Sequence, residues 1–107
     1  MNPVKGVLAE ELINSERMLK KYQRALSAIP KGSLVRKKIK GGVFYYLAYR
    51  QGRRVKFDYK GKLSAPEIAK FNEARALRAK YRLLMAELRK QIVFIKRALH
   101  ERKRRSR

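Results

Sequence analysis

In 107 residues the chain sets 30 Lys and Arg against 8 Asp and Glu, a formal net charge of +22, with one histidine and no cysteine. The composition excludes disulfides and thiolate metal sites, and the length suits one domain over residues 1–107. So large an excess repels itself within a folded chain, so it points to a polyanionic partner, with nucleic acid ahead of an anionic membrane.

The charge is unevenly spread. Residues 1–29 hold five basic and three acidic side chains, residues 30–63 eleven and one, and residues 64–107 fourteen and four, giving +2, +10 and +10. The first segment reads as scaffold and the other two as interaction surface.

Residues 4–28 carry a helical apolar period. Leu8, Leu12, Leu19, Tyr22 and Leu26 follow the spacing of a heptad seam, interrupted by Ser15. Acidic Glu10, Glu11 and Glu16 precede basic Lys20, Lys21 and Arg24, which suits the helix dipole. Pro30 stops the helix, because the residue before a proline is pushed out of the α region.

After Gly32 the period changes to two. Leu34–Lys40, Val43–Arg50 and Arg54–Lys60 read as strands of a meander over residues 34–60, separated by turns at Gly41-Gly42 and Gln51-Gly52-Arg53. Alternation within each strand assigns Val35, Ile39, Val43, Tyr45, Leu47, Tyr49, Val55, Phe57 and Tyr59 to a core-facing side. The opposite side then carries Arg36, Lys38, Tyr46, Arg50, Arg54, Lys56, Asp58 and Lys60.

Ser64 and Glu67 form a capping-box pattern that opens a long helix over residues 64–101, followed by a basic tail at 102–107. Its predicted seam is Leu77, Tyr81, Leu84, Leu88, Ile92, Ile95 and Leu99, with one extra residue between Leu88 and Ile92 that makes the stripe drift. The fold expected is α+β in the order α-β-β-β-α. An antiparallel helical hairpin carries the three-stranded antiparallel meander at one end, and the long C-terminal helix overhangs the first. That overhang is the segment suited to a second copy or a protein partner.

Three surfaces are candidates for nucleic-acid binding. On the meander, Arg36, Lys38, Lys40, Arg50, Arg53, Arg54, Lys56 and Lys60 surround Tyr46, which can stack on a base or hydrogen-bond to phosphate. A two- or three-stranded ribbon fits the major groove of DNA, with flanking cations on phosphates. A solvated face whose edge lysines deter aggregation is the plain alternative. On the long helix, Arg75, Arg82, Arg89, Lys96 and Lys103 recur every seven residues, a column of cations about 10.5 Å apart read as lying away from the seam. In the tail, Arg102, Lys103, Arg104 and Arg105 form a run of the kind that binds nucleic acid non-specifically.

No catalytic residues, metal site or cofactor are expected. His100 is the sole histidine and lies among charged residues, and no Gly-rich phosphate loop precedes a helix. Residues 92–95 could lie on a membrane surface, but packing against the first helix is the simpler reading. No apolar run nears the ~20 residues of a membrane span, and no secretory signal is read, so a cytoplasmic location is expected, with association with the nucleoid left open.

The run Pro30-Lys31-Gly32-Ser33-Leu34-Val35-Arg36-Lys37-Lys38-Ile39 continues through Phe44–Arg50 and Val55–Lys62. It is similar to small uncharacterised basic proteins of prokaryotes and their mobile elements. It also resembles the N-terminal β-meander of some insertion-sequence transposases and, more loosely, the three-stranded sheet with which some integrases bind DNA arms. The resemblance covers about a third of the chain and implies DNA binding through Arg36, Lys38, Tyr46, Arg50, Arg54 and Lys56. No transposase catalytic domain follows, so recombination is not implied. The expectation is a non-enzymatic nucleic-acid-binding protein, with duplex DNA favoured over RNA. An RNA-binding subunit of a ribonucleoprotein and a coiled-coil-like oligomerisation protein are the alternatives.

Overall fold

A computed structural model describes residues 3–105, with side chains described as far as Glu101. The elements are α1 (Pro3–Ala28), β1 (Ser33–Ile39), β2 (Gly42–Gln51), β3 (Arg54–Gly61) and α2 (Ala65–Arg105). This is the α+β order read from the sequence. Two compact units result: α1 together with α2 from Lys80 onward, and the stretch from Ile29 to Ala79.

The helical unit is built on two seams. Leu8, Leu12, Ser15, Leu19, Tyr22 and Leu26 of α1 alternate steps of four and three, and each is half-buried or buried. On α2 the buried apolar residues are Met85, Leu88, Ile92 and Ile95. Tyr22 packs on Tyr81 with ring centroids 5.6 Å apart. Seven residues earlier on α1, Ser15 accepts a hydrogen bond from Gln91 Nε2 at 3.0 Å, ten residues later on α2. One helix therefore runs backward against the other, as an antiparallel hairpin. The interruption at Ser15 is only 4% exposed, yet its hydroxyl is satisfied, which removes most of the penalty for a polar group there.

The α2 seam differs from expectation in two places. Leu77 is 41% exposed, and Met85 is buried instead. With Met85 in place of Leu84, the sequence Tyr81, Met85, Leu88, Ile92, Ile95, Leu99 steps strictly by four and three. The supposed extra residue disappears. Leu84 sits half-buried at the margin of the stripe. Hydrophobicity favours Leu84 over Met85, but the rotation of the helix selects by phase, and the flexible thioether fills the place. The stretch of α2 from Lys80 to Arg105 matches the 26 residues of α1 in length. The surplus of α2 is therefore at its start, within the unit that holds the meander, and not a C-terminal overhang.

The sheet has the order β1-β2-β3, antiparallel throughout. Ile39 pairs with Gly42 around Lys40 and Gly41, whose φ values of 48° and 80° are those of a type I′ turn. Gln51 pairs with Arg54 around Gly52 and Arg53, with a positive φ of 63° at the first of the two. Both loops are thus two residues long, one placed a residue earlier than expected and the other a residue shorter. No residue of the three strands is buried.

A capping box opens α2. Ser64 Oγ accepts from the Glu67 amide at 3.3 Å, and the Glu67 carboxylate accepts from the Ser64 amide at 3.3 Å and its hydroxyl at 2.9 Å. Three turns on, Arg78 is only 6% exposed. Its guanidinium donates to the carbonyl of Pro30 and, at 2.6 Å, to that of Gly32. Gly32 has to be glycine: its φ is +116°, and a Cβ there would stand 2.8 Å from the Leu47 side chain. A cleft of about 300 Å³ lies against this clamp, lined by Pro30, Gly32, Glu67, Phe71, Ala74 and Arg78 among others.

Two stability tests follow from this packing. Ile92→Ala should cost about 2–5 kcal/mol, the range for truncating a buried aliphatic side chain, whereas Leu77→Ala should stay within about 0.5 kcal/mol. Urea denaturation of both variants measures the contrast, and equal losses would mean the seam has another phase. Arg78→Met keeps the stem but removes the donors from two backbone carbonyls. It should cost about 2–3 kcal/mol in the same titration, since hydrogen bonds to a charged donor are worth about 1.5–3 kcal/mol.

Candidate nucleic-acid interface

A two-residue turn pairs odd-numbered with even-numbered positions, and directly opposed residues share a face of the sheet. Across β1 and β2, Arg36 opposes Tyr45, Lys38 opposes Val43 and Val35 opposes Tyr46. Across β2 and β3, Tyr49 opposes Lys56, Ala48 opposes Phe57 and Tyr46 opposes Tyr59. The odd residues of β2 therefore join the even residues of β1 and β3. Alternation counted strand by strand, which put all the odd residues on one side, does not survive this register.

One face, here the cationic face, carries Arg36, Lys38, Arg54 and Lys56 around Val43, Tyr45, Leu47 and Tyr49. All four cations are exposed, and none is in an ion pair among the described residues. Asp58 shares this face and accepts from the Tyr49 hydroxyl at 3.4 Å. The opposite face, here the aromatic face, carries Val35, Lys37, Ile39, Phe44, Tyr46, Arg50, Val55, Phe57 and Tyr59. Tyr46 and Arg50 thus leave the cation group in which the sequence placed them. Phe57, read as a core residue, is 60% exposed, as is Tyr59.

On the aromatic face three rings touch. The Tyr59 ring centroid is 5.2 Å from that of Tyr46 and 6.5 Å from that of Phe44. Lys37 Nζ stands 5.3 Å from the Tyr46 centroid, and Lys62 Nζ stands 5.8 Å from that of Phe44. None of Lys37, Phe44, Tyr59 and Lys62 was singled out as a site residue from the sequence. The signal that finds them is the parity of the two turns.

The remaining candidates fall outside either cluster. Lys40 and Arg53 are exposed turn residues, Lys40 held in the left-handed region at φ 48°. Lys60 is skipped where the register jumps from Tyr46↔Tyr59 to Tyr45↔Gly61, a bulge that bends the end of β3. Along α2, Arg75, Arg82, Arg89 and Lys96 are exposed. Their column does not lie away from the seam. Each immediately follows a seam position, and Lys96 reaches Glu16 of α1 at 4.0 Å. The side chains of Arg102, Lys103, Arg104 and Arg105 lie outside those described.

The chain belongs to the family described as Domain of unknown function (DUF6788), with residues 8–70, more than half of its length, matched. No curated protein and no solved structure matches it. The matched stretch takes in the whole meander, both of its faces and the cap of α2, whereas Arg78 and the cationic column lie beyond it. The family's description carries no activity.

Because Phe57 stands in solvent, Phe57→Ala should change stability by less than about 1 kcal/mol, against about 3–5 kcal/mol for a buried phenylalanine. Thermal melts of the parent and the variant separate the two values.

Proposed function

We propose that this protein is a small non-enzymatic nucleic-acid-binding protein that holds the phosphate backbone on the cationic face of its meander. The observation that carries this reading is charge without compensation. Residues 30–63 hold eleven cations against the single carboxylate of Asp58, and Arg36 and Lys38 on β1 and Arg54 and Lys56 on β3 project into solvent from the two edge strands that flank β2. A solvated sheet face needs a few charges of either sign; four cations on one face suit a row of phosphates. Duplex DNA is the leading ligand, since its wide major groove admits a β-ribbon while the deep, narrow groove of an RNA helix does not. The exposed cations of α2 would hold further phosphates. A cytoplasmic, nucleoid-associated location belongs to the same proposal. No helix of the described residues is long and apolar enough to cross a membrane.

A second reading, association of the chain with a copy of itself through α2, is favoured by Phe94 and Leu83. They are 71% and 65% exposed and eleven residues apart, hence on one side of the helix.

Salt dependence tests the leading reading. With 6–10 phosphates held, affinity for a duplex should fall by roughly 10³–10⁵ between 50 and 200 mM salt. Replacing Arg36, Lys38, Arg54 and Lys56 by alanine should weaken binding and flatten the log–log slope by about 3–4, near 0.9 for each phosphate released. A parent that binds no duplex at low salt, or a fourfold variant with the parental slope, sinks the proposal.

A further inference from the structure

The aromatic face of the meander has no part in the phosphate grip just described, and its chemistry is different. Phe44, Tyr46 and Tyr59 form one contiguous cluster of rings, and Phe57 stands on the same face 60% exposed. Tyr59 is equally exposed, whereas Phe44 and Tyr46 are half-buried. Exposed rings such as Phe57 and Tyr59 cost solubility without adding to a core, since no residue of the strands is buried. Beside them stand cations, Lys37 over Tyr46 and Lys62 over Phe44.

We infer that this face is a stacking platform for the unpaired bases of single-stranded nucleic acid. Bases stack on aromatic side chains whatever their sequence, while neighbouring cations hold the backbone between them. Lys37 and Lys62 have stems long enough to swing from ring to phosphate as a base arrives. A duplex keeps its bases stacked on one another and offers no π-face to this surface. An apolar protein partner would match the rings but leave the two lysines, in a segment of net +10, without a counter-charge. A single strand supplies base faces and negative charge together. The inference rests on the nucleic-acid reading above and names the class of ligand that this second face takes.

The test uses the full chain with a 12-nucleotide oligo(dT), an oligo(U) of equal length, and a 12-base-pair duplex at one fixed salt concentration. The chain has six tyrosines and no tryptophan, so its intrinsic fluorescence reports tyrosine directly. Tyr45 and Tyr49 lie beside the phosphate grip and respond to either ligand, so the readout is the part of the quench that Tyr59→Ala removes, which should be present with the single strands and absent with the duplex. Tyr59→Ala and Phe57→Leu should each weaken single-strand binding by roughly 5- to 150-fold, the usual span for one base–aromatic stack, with the salt slope unchanged. Duplex binding should stay at the parental value. Phe57→Leu keeps the apolar bulk and removes only the ring, so it remains informative if Tyr59→Ala perturbs the sheet, which circular dichroism detects. Loss on oligo(dT) alone or oligo(U) alone supports the platform and identifies the kind of strand it takes. Parental affinity of both variants for both strands, or an equal loss on the duplex, overturns it. In that case a parent that still binds duplex with a steep salt slope leaves the phosphate reading standing, whereas a parent that binds no nucleic acid removes both.

Discussion

A single stripe along α2 governs this fold. Phe71, Ala74, Arg78, Tyr81, Met85, Leu88, Ile92, Ile95 and Leu99 step by three and four without a break, and they include nearly all the buried side chains among the described residues. From Tyr81 onward the stripe is apolar or aromatic and faces α1. From Phe71 to Arg78 it lines the cleft beside Pro30 and Gly32. Its chemistry changes at Arg78, where a hydrocarbon knob would leave the carbonyls that end the α1–β1 connection without donors. Within the helical unit the stripe sets what packs on α1, and within the other unit it sets what anchors the connection that enters β1.

So little buried surface has to hold a chain of charge +22. The cations at 75, 82, 89 and 96 border the stripe, close to the seam and not across the helix from it. Lys96 finds Glu16 at 4.0 Å, both largely exposed, and pairs of that kind contribute between nothing and about 1 kcal/mol. The remaining cations repel one another, a penalty that salt screens and a bound polyanion cancels. A ligand that binds only the folded chain stabilises it by mass action. On the proposed reading, the charge that weakens the free protein is the charge that steadies the complex.

The element order was legible because the signals were local. The capping pair Ser64 and Glu67, the stop at Pro30, and the switch from a period of 3.6 to a period of 2 at Gly32 each act within a few residues. The α1 seam was legible for the same reason. Two features were not, and both depend on phase. On α2, Leu77 and Leu84 are more hydrophobic than Arg78 and Met85, so a reading by residue type slid the seam by one position. In the sheet, each strand alternates cleanly, but the relation between strands is set by loop length. A two-residue turn and a three-residue turn place Tyr46 on opposite faces. The candidate site was accordingly half legible: Arg36, Lys38, Arg54 and Lys56 group as read, while Tyr46 was placed among them and Phe57 and Tyr59 were assigned to a core that the sheet does not have.

On the proposed reading that parity matters because it puts Tyr46 with the exposed rings of Phe57 and Tyr59 on the face opposite Arg36, Lys38, Arg54 and Lys56. Substitutions at the exposed rings and at those four cations can then be made on opposite faces of the sheet. With two-residue turns at both ends of β2, the even residues of β1 and β3 bring cations to one face, and the odd residues bring Val55, Phe57 and Tyr59 to the other. β2 supplies Tyr45, Leu47 and Tyr49 to the first face and Phe44 and Tyr46 to the second. A three-stranded sheet without a buried residue is a poor core. On the proposed reading it presents two surfaces, one for a charged backbone and one for flat base faces, only a strand's thickness apart.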